Sequence, residues 1–304
     1  LALIFVFLDG CGLGEPAGHN PFWVQPAPFL RRLLGAPLTQ AAAQSGPRLL
    51  LRGLDAGLGV AGAPQSATGQ TALFTGVNAP ALLGEHLTAF PNARLREVIA
   101  ERSFLKLAAE RGHTATFANA YNDLYWQYVD EKRLRHSATT LTNLAAGLPF
   151  RTFDDLRAGH AVYWDITHAT LRARFGHAVP YRRPEAAGAI LAELGRSHAL
   201  VLFESFLTDW VGHRRLAYAP RWMVGTLDRF LGGLVGALGP ADSLLVSSDH
   251  GNFEDARSPV HTENPVPLLV VGPAAPTFAG AARITDIAPT ILSYLDGNHA
   301  GAIE

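Results

Sequence analysis

Leu1-Ala-Leu-Ile-Phe-Val-Phe-Leu8 is apolar without interruption and stops at Asp9-Gly10. A strand that is half solvated alternates apolar and polar residues, whereas an unbroken run ended by a turn pair suits a parallel strand covered on both faces. Similar runs occur at 199–204, Ser243–Ser247 and Val266–Val271. Pro267 in the last of these predicts an early strand position or a sheet edge, because proline has no N–H for the ladder. Helical patterning falls between the runs, at 68–75, 94–111, 185–196, 219–237 and 286–295. This alternation predicts an α/β fold with a mainly parallel central sheet flanked by helices, and function at the carboxyl ends of its strands.

A chain of 304 residues can bury one large core or two of ordinary size. Its single cysteine, Cys11, forms no intrachain disulfide, so a reducing compartment, the cytoplasm, is expected. The opening apolar run lacks a basic leader and a small-residue cleavage site and is read as a strand. No stretch reaches the roughly 18 continuous apolar residues of a membrane span, so no membrane partner is expected. A net charge of −1 argues against a nucleic-acid binder with a broad basic face.

That balance is uneven along the chain. Residues 89–186 carry 14 Lys and Arg against 10 Asp and Glu, out of totals of 25 and 26. The same segment holds Tyr121, Tyr125, Trp126, Tyr128, Tyr163 and Trp164 and breaks the strand–helix rhythm. It is expected to form a smaller inserted α+β cap domain, with 1–88 and 187–304 as the catalytic core. Further α/β units within one domain are the alternative.

Chemistry-bearing residues cluster where strands end. Asp209-Trp-Val-Gly-His213 sets a carboxylate and an imidazole four residues apart, on one face if helical. Asp249-His250-Gly251 follows the third apolar run, and His261 precedes the fourth. Singly, each has a plain reading: a surface helix pair, a turn, a solvent-facing imidazole. Jointly, Asp9, Asp209 and Asp249 each sit at or just beyond the carboxyl end of an apolar run, with three histidines beside them. Three carboxylates and three imidazoles exceed what one tetrahedral ion needs and suit two divalent ions. Oxygen and nitrogen ligands without thiolate favour Mn or Zn, with Mg possible at one position. Two ions about 4 Å apart serve phosphoryl transfer. The Gly/Pro loop 62–65 leads into a helix with Ser66 near its start, where backbone N–H groups and the helix dipole favour an anion. Ser66 is therefore the candidate nucleophile, with Thr68 in reserve. A helix N-cap is the plain reading of Ser66.

Phe7-Leu-Asp9-Gly, Ser66-x-x-Gly69, Asp209-x-x-x-His213, Asp249-His250-Gly and His261-Thr-x-Asn-Pro-Val-Pro together resemble the alkaline phosphatase superfamily, in particular its cofactor-independent phosphoglycerate mutases and phosphopentomutases. The resemblance covers about 1–80 and 195–295. It implies an alkaline-phosphatase-like core, one metal on Asp209, His213 and His261, a second on Asp9, Asp249 and His250, and Ser66 near both as the residue that is phosphorylated. It also implies a cap whose arginines grip the substrate. Arg151 is the candidate there, while Arg135, Asp165 and the Tyr121-Asn122-Asp123 cluster are read as surface residues. Two features depart from the mutase pattern: Gln70 stands where it has histidine after the glycine, and the insertion is short. The expected function is two-metal-dependent phosphoryl transfer on a small anionic phosphorylated metabolite through a phosphoserine, with phosphomonoester hydrolysis favoured over phosphomutase chemistry. A sulfatase or diesterase fits less well, since Cys11 lacks the sulfatase sequence context. An inactive, metal-stabilised binding protein is the alternative from another class.

Overall fold

The computed structural model describes residues 1–176 and 179–300. Its strands are β1 (Leu3–Leu8), β2 (Gln44–Ser45), β3 (Leu49–Leu54), β4 (Ala115–Phe117), β5 (Ala120–Tyr121), β6 (Arg151–Thr152), β7 (Leu200–Ser205), β8 (Ser243–Ser247) and β9 (Val266–Val271). Seven form one sheet in the order β2-β3-β9-β8-β1-β7-β4. β8, β1, β7 and β4 run parallel, and β9 is antiparallel to both β3 and β8.

The opening run is buried on both faces, and the side-chain alternation of a strand divides it between two layers. Leu3, Phe5 and Phe7 pack with Leu73, Phe74, Leu95, Phe104 and Ile291, from helices on one side. Ile4, Val6 and Leu8 pack with Leu30, Leu191, Leu227 and Phe230 on the other. Phe74 is the hub of the first layer, edge-on to Phe5 and Phe7 with ring centroids 6.4 and 5.2 Å away, and tilted on Phe104 at 6.0 Å. Phe74→Ala is expected to cost about 3–5 kcal/mol in chemical denaturation, because the rigid sheet cannot collapse into the space left.

β9 is interior, between β3 and β8, and Pro267 takes the early strand position, second in β9 and outside the β8 pairing, which covers only Leu269 to Val271. One expectation is corrected. The 94–111 helix is two helices, Ala93–Arg102 and Phe104–Glu110, separated by Ser103 in an extended conformation (ψ 137°). Both of these helices pack on the first layer, and β4 extends the main sheet beside β7. The two-stranded β5–β6 sheet lies by a small separate core of Ala120, Phe153, Leu156, Ala161, Leu171 and Val179, while the helix Ala138–Ala145 packs on the first layer through Ala138 and Leu141.

Candidate metal centre

The parallel strands deliver their following residues to one edge of the sheet. Asp9 follows β1 directly, and Asp249 and His250 are the second and third residues after the end of β8. β7 leads through Phe206 into the short helix Leu207–Gly212, which carries Asp209, with His213 closing it. Gly10 has φ +65°, and a Cβ there would lie 2.9 Å from Asp209 Cα, so the β1 turn and the Asp209 helix approach as only glycine allows. His261 lies beside an isolated bridge from Gly251 to Thr262, which ties its loop to the end of β8.

Six side chains converge. His250 Nε2 is 3.3 Å from Asp9 Oδ1 and 3.5 Å from Asp249 Oδ2. Asp209 Oδ1 is 3.1 Å from His213 Nε2 and 3.6 Å from His261 Nε2. The His250 and His261 rings stack with centroids 3.6 Å apart, joining the two groups. Two ligand sets of metal-binding spacing result: Asp9, Asp249 and His250, and Asp209, His250 and His261 with His213 alongside.

These residues fit cations on their own chemistry. His213 Nδ1 donates to Pro259 O at 2.6 Å and His261 Nδ1 to Pro64 O at 2.9 Å. With both Nδ1 atoms donating to carbonyls, Nε2 is the atom each ring has left to offer, and the two Nε2 atoms face each other 2.9 Å apart. Two facing lone pairs repel unless a proton or cation lies between them. Oδ1 of Asp9 and Oδ1 of Asp209 are likewise buried without a hydrogen-bond donor. Such orphaned acceptors are costly unless a cation satisfies them. Burial, with the negative charges of Asp249 and Asp209, pushes the Asp9 carboxyl well above its ordinary range. Burial opposes ionisation of Asp209 too, but the His213 and His261 imidazoles beside it outweigh that and hold its carboxyl below its usual range.

Ser66 opens the helix Ser66–Thr75, and its Oγ lies 3.1 Å from His250 Nε2, at the imidazole shared by both groups. The expected N-terminal anion cradle is partly occupied, since the Ala67 and Thr68 N–H groups donate to Leu87 O. Thr68 is turned into that same loop, its hydroxyl donating to Gln65 O and accepting from Leu87 N. The helix fits this close because residue 69 is glycine: a Cβ there would lie 2.7 Å from Asp249 O. Gly69→Ala is expected to push Ser66 away from His250 and to weaken cation binding measurably in a Mn²⁺ titration.

Arg151 is not brought to this centre. In β6 it donates to His160 O and Thr116 Oγ1, bracing the small sheet on the edge strand β4, and burial pushes its guanidinium pKa down. Arg135 is exposed. Asp165 is buried, accepts from the His168 and Leu171 N–H groups, and is pushed up to about 6 by burial. Tyr121 is half-buried, its hydroxyl on Thr140, and Asn122 caps the helix that Asp123 begins.

Two buried carboxylates escape a reading by motif. Glu254 accepts from the Gly12 and Asn252 N–H groups, both at 2.8 Å, and from Thr262 and Asn264, clamping the loops that carry Asp9, His250 and His261 together. Glu204, the penultimate residue of β7, accepts from Thr139, and burial pushes its pKa well up. A glutamate inside a buried strand is the one signal that could have marked Glu204.

A family model described as the Metalloenzyme superfamily matches residues 178–298, the stretch from Asp209 through His261. A curated relative, the 2,3-bisphosphoglycerate-independent phosphoglycerate mutase of Rhodopseudomonas palustris, is 36% identical over 116 residues, covering 36% of this chain and 23% of the relative. The chain thus matches only about a quarter of that relative's length. Among solved structures, the PH0037 protein of Pyrococcus horikoshii superposes with a TM-score of 0.55 at 15% identity, covering 97% of this chain and 96% of that one. The cold-active alkaline phosphatase of a Shewanella species superposes with a TM-score of 0.53 at 14% identity, covering 97% and 100%.

Proposed function

We propose that this chain, similar in sequence to the Metalloenzyme superfamily and in fold to alkaline phosphatases, is a two-metal-dependent phosphoryl-transfer enzyme with Ser66 as nucleophile. The observation that carries the proposal is the position of Ser66 Oγ, 3.1 Å from His250 Nε2, where the two ligand groups meet. Asp209, His213 and His261 would hold one divalent ion, and Asp9, Asp249 and His250 the other, with Mn or Zn suited to both and Mg to the oxygen-richer one. Bound there, the ions would supply positive charge that favours an ionised seryl oxygen and balances charge on the transferring phosphoryl group. The chain's own part is positional. The helix start fixes Ser66 and the histidine–carbonyl bonds fix the imidazoles, so little reorganisation is needed when substrate arrives. The seryl oxygen bonds to phosphorus as the ester P–O bond breaks, and the phosphoryl group then passes from the serine to water or to a second substrate hydroxyl as the seryl O–P bond breaks.

Hydrolysis of a small phosphorylated metabolite in the cytoplasm is the favoured outcome, since Gln70 and the short inserted segment both depart from the mutase pattern. The match to a phosphoglycerate mutase favours phosphomutase chemistry as the second reading. A screen of phosphorylated sugars and glycerates with Mn²⁺ or Zn²⁺, scored for phosphate release and for isomerisation, separates the two. Intact mass should show a gain of one phosphoryl group on Ser66 during turnover. A folded, metal-loaded chain inactive on every ester, and never phosphorylated, would overturn the proposal in favour of a binding protein.

A further inference from the structure

Gln70 lies one helical turn after Ser66 and is 3% exposed. Its Nε2 is 3.1 Å from Asp249 Oδ2 and 3.4 Å from Asp9 Oδ2. Both partners are carboxylate oxygens, so the amide group facing them is the donor, one hydrogen for each. Asp9 and Asp249 come from different strands and repel each other when ionised. Oδ1 of Asp9 is left buried and without a donor, beside His250 Nε2 at 3.3 Å. We propose that Gln70 is a positioning residue for the Asp9–Asp249–His250 ion: its amide spans the two carboxylates, offsets their repulsion and leaves Asp9 Oδ1 free to coordinate. This rests on the two-ion reading above. An imidazole at this position would offer one N–H on this side where the amide offers two, so Gln70 preserves the site by different means from the histidine of the mutase pattern.

A hydrogen bond from outside the ligand set to a metal-binding carboxylate typically changes metal affinity by about 10–100-fold. Gln70→Met keeps the length and bulk of the side chain and removes both donors. In a Mn²⁺ titration of the whole chain followed by calorimetry, the wild type should bind two ions. Gln70→Met should weaken one of them by about 10–100-fold and leave the other, on Asp209, His213 and His261, within about threefold. Gln70→Asn, whose amide is withdrawn by one methylene, should weaken the same ion and serves if the methionine variant does not fold. Two ions of wild-type affinity in a folded variant, or equal weakening of both, would overturn the role of Gln70 alone. A wild type that binds no ion would overturn the two-ion reading itself.

Discussion

Ser66→Ala is expected to lower turnover on any phosphate ester the chain accepts by about 10⁴-fold or more, with no phosphorylated protein at any time point. The size follows from the absence of a second oxygen in the right place. Thr68 is the only other hydroxyl in the first turn of that helix, and its hydrogen bonds to Gln65 O and Leu87 N hold it in the loop. Thr68→Ala is therefore the control. It should cost about 1 kcal/mol of stability for lost hydrogen bonds and leave the phosphoserine intact. Equal losses in the two variants would mean that the helix start matters only structurally.

Removing the divalent ions should produce the second large effect, on stability. Ions at a thousandfold excess over their dissociation constant contribute about 4 kcal/mol per site, which at this chain length is a fall of about 6 °C in Tm per site on chelation. The chelated protein should also acquire a pH dependence of definite sign. Asp9 is pushed above the ordinary value of 3.8 by burial and its neighbouring carboxylates, so between that value and its folded pKa the unfolded chain releases a proton that the folded chain keeps. Stability of the ion-free protein should therefore fall as pH rises above about 4. Asp209, shifted the other way, acts below 3.8 and does not offset this. Thermal melts with and without chelator across pH 4 to 8 test both the size and the slope. A chelated protein whose Tm is unchanged and flat with pH would remove the ions from the stability account.

The main sheet and its busy edge were legible because their signals are local. An unbroken apolar run ending in Asp9 reports a strand buried on both faces and the residue it delivers, and the same holds for Asp249 after β8. Asp209 and His213 were legible as a pair through helical spacing taken together with the strand-end residues Asp9 and Asp249. What escaped depends on contacts across the chain. β4 is only three residues long, and the partner that recruits it, β7, lies more than eighty residues later. That β9 lies inside the sheet depends on the β8 pairing stopping at Leu269, short of Pro267, which no single segment announces. Glu254 and Gln70 are polar residues in unremarkable local sequence, and their roles appear only when Gly12, Asn264, Asp9 and Asp249 are brought around them. Arg151 is the converse case: a basic residue in a basic segment gives no hint that it will donate to Thr116 and His160.

The account stands on two ions held by six named side chains, and an anomalous difference map from crystals of the Mn²⁺-loaded chain tests this directly. Two peaks are predicted, one ringed by Asp209, His213 and His261 and the other by Asp9, Asp249 and His250, with Ser66 Oγ between them. A single peak, or peaks away from these side chains, would contradict it.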